Sequence, residues 1–147
     1  MKSSTYLVAD AAAMETLGAA LAHALDRGLV VHLRGELGAG KTTLVRGVLR
    51  GLGHTGTVRS PTYTLVEPYE LSGRQVYHLD LYRLADAEEL EWIGVRDLLD
   101  ADSLALIEWP ERGLGILPAA DLELAIEYQG TGRRVTLAGH SVAGDRV

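Results

Sequence analysis

Cysteine is absent from the 147-residue chain, which removes disulfides, zinc–thiolate sites and thiol nucleophiles together. Asparagine is absent as well, so the chain holds no N-glycosylation sequon. No apolar run reaches the roughly 18 residues of a membrane span. The longest helical segment near the N-terminus carries Asp10, Glu15, His23 and Asp26, so neither a span nor an export signal is expected, and a cytoplasmic setting is. Basic residues are outnumbered, 14 Lys and Arg against 20 Asp and Glu for a net charge of −6. That balance argues against a surface built for tight direct nucleic-acid binding. Lysine is scarcest: 12 of the 14 basic residues are Arg, leaving only Lys2 and Lys41. The length is that of one domain, 1–147, with enough chain to bury a proper core.

Residues 5–9 read as a short strand. Asp10 stands at an N-cap position before a helix over Ala11–Arg27, in which Met14, Leu17, Leu21 and Leu25 recur at steps of three and four. Leu29–Leu33 is an apolar strand broken by His32. A glycine-rich turn follows, then a helix from Lys41 to Arg50 ended by Gly51-Leu-Gly53. Thr57–Glu70 reads as extended, with Pro61 and Pro68 as punctuation, and Ser72-Gly73 as a hairpin turn into Gln75–Leu81. Asp86 caps a helix through Trp92, with Glu88 and Glu89 in its first turn. Ser103–Ile107 has the continuous apolar character of a buried parallel strand. Leu122–Tyr128 and Arg133–Ala138 flank Gly130-Thr-Gly132 as a terminal hairpin. The alternation predicts a three-layer α/β sandwich with a mixed, partly antiparallel sheet.

Gly35-Glu-Leu-Gly-Ala-Gly40-Lys41-Thr42 fits G-x-x-x-x-G-K-[ST], and it lies between an apolar strand and a helix, the context that gives the pattern meaning. Glycines let the backbone curl so that successive N–H groups point inward, where they and the helix N-terminus hold polyphosphate oxygens. Lys41 suits the β- and γ-phosphates as a compact charge, a role that the bulkier, planar Arg fills poorly. The Thr42 hydroxyl is placed for Mg²⁺, with Thr43 assisting the α-phosphate. The chain is therefore expected to bind a nucleotide with Mg²⁺.

Hydrolysis also needs an acid near the metal and a group that orients water. Leu104-Ala-Leu-Ile107-Glu108 is an apolar strand ending in a carboxylate, and carboxyl ends of parallel strands line the ligand crevice of α/β sheets. Glu108 is the first choice for the metal side. In Val76-Tyr-His-Leu-Asp80-Leu-Tyr82-Arg83, His78, Asp80 and Tyr82 share one strand face. Asp80 either ligates Mg²⁺, positions the attacking water, or pairs with Arg83 or Arg59. His78 reads as a packing or supporting residue rather than a general base. Ser60-Pro-Thr62-Tyr63-Thr64 is either a sensor of the γ-phosphate or a plain connector. Trp109 either packs the core edge or reports on a partner near the nucleotide. Charge is uneven: residues 27–59 carry six basic and one acidic side chain, and residues 67–127 carry four basic and 15 acidic. This is either a solvated acidic face or a basic nucleotide mouth beside acidic metal ligands.

Gly35-Glu-Leu-Gly-Ala-Gly-Lys-Thr-Thr43, Ser60-Pro-Thr-Tyr-Thr-Leu-Val66, His78-Leu-Asp-Leu-Tyr-Arg-Leu84 and Ile107-Glu-Trp109, in this order and spacing, resemble the TsaE (YjeE) family of small bacterial P-loop ATPases. The resemblance covers Leu29 to Pro118 and extends more loosely to both ends, without departure at the key positions. It implies a P-loop NTPase-like fold and ATP hydrolysis in support of the threonylcarbamoyl modification of tRNA adenosine, through a TsaD–TsaB pair. It also places function on Leu37, Gly38, Ala39, Gly40, Lys41, Thr42, Thr43, Asp80 and Glu108, with Thr42 and Glu108 at Mg²⁺. Base contacts are implied near Asp10 and Ala11 and near Arg133 of the terminal hairpin.

Rival classes fare less well. Guanine readers commonly use Asn-Lys-x-Asp, which a chain without Asn cannot supply. A small-molecule kinase of the P-loop class is the alternative; it needs an acceptor pocket and usually a basic lid, for which little chain remains. A purely structural nucleotide-binding subunit has no use for both Asp80 and Glu108. No Arg stands out as a finger in cis, with Arg59 and Arg83 as candidates. These charges predict slow hydrolysis alone and faster hydrolysis with a partner.

Overall fold

Alternation decides which side of each strand faces which layer. In β2 (Val30–Gly35), Val31 and Leu33 turn to one face and His32 and Arg34 to the other. The computed structural model describes residues 3–25, 28–61, 63–100 and 102–147. Its elements run β1 (Ser3–Val8), α1 (Ala11–Ala22), β2, α2 (Lys41–Gly51), β3 (Val66–Leu71), β4 (Arg74–Asp80), α3 (Glu88–Trp92), α4 (Val95–Leu98) and β5 (Leu104–Glu108). A 3₁₀ turn over Pro110–Gly113, β6 (Leu122–Gln129), β7 (Gly132–Gly139) and α5 (Val142–Asp145) complete them.

The seven strands form one sheet in the order β1-β7-β6-β2-β5-β4-β3. β2 runs parallel to both its neighbours, β5 and β6, and β5 parallel to β4; the other pairs are antiparallel. α1 and α2 cover one face, where Met14, Leu21, Leu44, Val45 and Val48 pack on Val31, Leu33, Leu104 and Leu106. On the other face Leu90 of α3 and Val95 of α4 pack with Leu79, Ala105 and Ile107. This is the three-layer, mixed-sheet arrangement of a P-loop NTPase-like fold. No helix among the described residues is long and apolar enough to cross a membrane.

α1 and α2 approach so closely that two interior glycines are required. A Cβ on Gly18 would lie 2.3 Å from the Leu44 carbonyl oxygen, and one on Gly47 would lie 2.1 Å from that of Glu15. Asp10 caps α1 by accepting from Ala13 N at 2.8 Å.

Three expectations are revised. α1 ends at Ala22, not Arg27; Ala24 N bonds to Leu21 O and Leu25 N to Ala22 O, the tighter i→i+3 pattern, and this still buries Leu25. Asp26 and Arg27 lie outside the described residues, as do Lys2 and Thr62. The extended reading of Thr57–Glu70 holds only from Val66. Before it, Leu65 takes a φ of 69° and bonds back to Pro61 O, so the chain turns. Pro68 is tolerated because β3 is an edge strand. Beyond Trp92, Gly94 at φ 71° starts α4, which the periodicity did not mark.

Candidate functional site

β2, β5 and β4 are adjacent and parallel, so their carboxyl ends open on one edge of the sheet. Register places Leu33 beside Glu108 and Glu108 beside Asp80. The loop from Gly35 to Gly40 leaves β2 at this edge. Gly38 (φ 79°) and Gly40 (φ 115°) take backbone conformations open to glycine, which curls the loop into the start of α2. Gly40 caps α2 without a side-chain acceptor, and no acidic residue stands in the first turn. The positive end of the helix therefore faces the loop mouth unscreened by its own side chains.

Lys41 is buried at the foot of that mouth. Its Nζ donates to Gly35 O at 2.6 Å and Glu36 O at 2.9 Å, and lies 4.3 Å from the centroid of the Trp109 ring. Burial pulls its pKa below the ordinary lysine value, opposed by Glu108, Asp80 and Glu111. Trp109 adopts a left-handed backbone (φ 58°), and its ring stands 5.0 Å from that of Tyr82. Of its two expected roles, the structure bears out packing at the core edge, with the ring also against the lysine and Tyr82.

The Thr42 hydroxyl lies 3.1 and 3.0 Å from the two Glu108 carboxylate oxygens. His78, fully buried, meets the same carboxylate, Nε2 to Oε2, at 2.6 Å. Its Nδ1 has no hydrogen-bond partner among the described residues. With Nε2 facing the carboxylate, Nε2–H donates to Glu108. Asp80 is buried beside them and accepts from Tyr82 N at 3.0 Å. Among the described residues no three acidic or imidazole groups gather as a self-sufficient metal cage. Hydroxyl and carboxylate oxygens are hard donors, and a pair of them suits Mg²⁺ that completes its shell with phosphate and water.

Two cavities flank Gly38. One, about 240 Å³, is bounded by Leu37, Gly38, Lys41, Asp80, Tyr82, Arg83, Glu108 and Trp109. The other, about 260 Å³, lies between Ala9–Asp10–Ala11, the loop residues Gly38–Ala39–Gly40, Thr43 and Thr131–Gly132–Arg133. Every sequence-predicted site residue from 37 to 43 therefore adjoins or spans these cavities except Thr42, which faces Glu108. Asp10, Ala11 and Arg133 gather on the Thr43 side, and Asp80 and Glu108 on the Lys41 side. Arg59 lines neither cavity.

The terminal hairpin does more than approach. Tyr128 Oη donates to Leu37 O at 2.9 Å, Arg133 Nε donates to Ala39 O at 3.0 Å, and the Arg133 guanidinium lies 4.2 Å over the Tyr128 ring. Sequence reading missed Tyr128. It lies 91 positions from Leu37, and only its place on the hairpin beside Arg133 hinted at a role.

Comparison with known proteins agrees with the blocks read from the sequence. The family model for threonylcarbamoyl adenosine biosynthesis protein TsaE matches residues 8–136. A Haemophilus influenzae protein named tRNA threonylcarbamoyladenosine biosynthesis protein TsaE is 47% identical over all of this chain and 96% of its own length. A Synechocystis protein of the same name is 41% identical over 75% of this chain and 72% of its own. Among solved structures, Bacillus subtilis YdiB superposes with a TM-score of 0.80 at 26% identity, covering 95% of this chain and 87% of that one.

Proposed function

This chain belongs to the TsaE family, and on that premise we propose that it binds ATP with Mg²⁺ at the 35–43 loop and hydrolyses it in the service of tRNA threonylcarbamoyladenosine biosynthesis. The observation that carries the catalytic part is the convergence of Lys41, Thr42, Asp80 and Glu108 at the ends of adjacent strands, on one side of the phosphate loop. Thr42 and Glu108 would hold the metal, which supplies charge neutralisation at the phosphates. Lys41 turns from the Gly35 and Glu36 carbonyls to the β- and γ-phosphates. Those carbonyls keep it close to the mouth, and its buried charge gains most from an anionic partner. Asp80 stands where it can orient water towards the terminal phosphate. The Thr43 side of the loop, with Asp10, Ala11 and Arg133, takes the nucleoside.

The partner in this reading is a TsaD–TsaB-type pair in the cytoplasm, with tRNA served through it. A single-turnover ATPase measurement with and without that pair tests both parts. Faster hydrolysis with the pair supports the reading. Equal rates remove partner activation, and absence of ATP binding removes the whole. A small-molecule kinase would instead transfer the phosphate to an acceptor other than water, and the same assay with product analysis separates the two.

A further inference from the structure

We propose that Arg83 is a catalytic arginine supplied in cis to the terminal phosphate, and that Tyr63 is the residue that positions it. The inference rests on the ATP-hydrolysing reading and names the group missing from it, a mobile cation for charge that builds up during the reaction.

Arg83 borders the cavity that also holds Lys41, Asp80 and Glu108. Its guanidinium lies 4.8 Å over the ring of Tyr63. Arg34 is committed to Glu123 and Glu111, Arg74 to Leu25 O and Arg133 to Ala39 O, while Arg112 lies over the Tyr82 and Trp109 rings and does not itself line the cavity. Among the described residues Arg83 has no carboxylate within ion-pair distance. Stacking occupies one face of the guanidinium and leaves its edge, with five N–H donors, directed by the ring rather than neutralised by an acid. Such an edge suits two oxygens of a phosphoryl group.

Tyr63 is 83% exposed, so nothing among the described residues covers the outer side of the ring. It stands two residues before Leu65, which is also tied to the second catalytic carboxylate: Asp80 N donates to Leu65 O at 3.0 Å. One short segment thus holds Arg83 through a ring and Asp80 through the backbone. A protein surface pressing on Tyr63 would set both together, which gives partner activation a physical route.

In the step itself, the oxygen of water bonds to the γ-phosphorus as the bond from that phosphorus to the β,γ-bridging oxygen breaks. ADP leaves with the electron pair, and the water's proton passes to phosphate and solvent. Arg83 takes part by charge and hydrogen bonds alone.

The test uses the full chain with its partner pair, measuring single-turnover ATP hydrolysis, ADP affinity, and the tightening of ADP binding on adding aluminium fluoride, a mimic of the transferring phosphoryl group. Arg83→Ala is expected to lower the rate at least about 100-fold, since arginines of this kind contribute 10³–10⁵-fold elsewhere. It should abolish the aluminium-fluoride tightening while ADP affinity stays within about threefold, because the interaction is made in the transition state only. Arg83→Lys restores little, lacking the planar fork. Tyr63→Ala is expected to lower kcat roughly tenfold with KM little changed, and Tyr63→Phe, which keeps the ring, to recover it. Arg83→Ala hydrolysing ATP at the wild-type rate would overturn the inference and leave the ATPase reading standing. So would loss of partner binding by Arg83→Ala with its rate alone, and its aluminium-fluoride tightening, intact. A wild-type chain that hydrolyses no ATP removes the reading and the inference together.

Discussion

Lys41 keeps company that any other residue would fail to satisfy: two carbonyls, an aromatic face, and carboxylates a little further off. Lys41→Ala is therefore expected to weaken nucleotide binding by at least about 100-fold, since it removes the charge proposed to meet the β- and γ-phosphates. A fluorescent-nucleotide titration measures it. Glu108→Ala should separate binding from chemistry. Phosphate contacts made by the loop backbone persist, so nucleotide affinity in the absence of Mg²⁺ stays within about tenfold, while turnover falls by about 100-fold or more. The two carboxylates and the lysine were legible in the sequence because each ends or begins an element: Lys41 starts a helix, and Asp80 and Glu108 end strands. The His78 contact with Glu108 was legible only as a shared strand face, since alternation gives a direction but not a neighbour. Tyr128 was legible only by its place beside Arg133, because its partner is a backbone carbonyl, and carbonyls carry no sequence signal.

At the scale of elements, α1 and α2 show two rules in conflict. Replacing a helix-interior glycine by alanine gains about 1 kcal/mol in propensity. At Gly47 the new Cβ would stand 2.1 Å from a backbone oxygen of the facing helix, which cannot rotate away. Overpacking of this kind costs about 1–3 kcal/mol, or more where backbone must shift. Gly47→Ala is thus expected to lower the urea midpoint, whereas a solvent-facing glycine in a helix would raise it. The periodic apolar residues of α1 announced the helix and its buried face. They overran its end because spacing records which side chains are buried and is blind to whether the hydrogen bonds span three residues or four. The 57–65 segment defeated the reading for a related reason: prolines and polar residues mark irregular chain, and the turn at Leu65 is set by contact with β4.

For the whole molecule, the sheet has one face under α1 and α2 and another that is only partly covered. His32 lies on the latter, across from Glu123 on β6 and two residues from Arg34. Burial, reinforced by Arg34 and opposed by Glu123, holds its pKa below the ordinary histidine value. The unfolded chain therefore binds this proton more readily than the folded one. Stability is complete above the unfolded value of about 6.5 and is lost as pH falls through the interval beneath it. Denaturation curves from about pH 7 to about pH 5 should show the loss, and His32→Gln should flatten the slope in that interval.

The clasp of Tyr128 and Arg133 on the phosphate loop also has a meaning in time. Ala39 and Arg133 are 94 positions apart. At roughly 5–20 residues per second of synthesis, the loop leaves the ribosome some five to twenty seconds before the hairpin that holds it. For most of that interval β2 also lacks β6, one of its two flanking strands. A nascent chain stalled short of Tyr128 carries the complete loop motif, Asp80 and Glu108, yet has neither clasp. If the loop holds a nucleotide as proposed, it does so unclasped in the nascent chain until Tyr128 and Arg133 have been made.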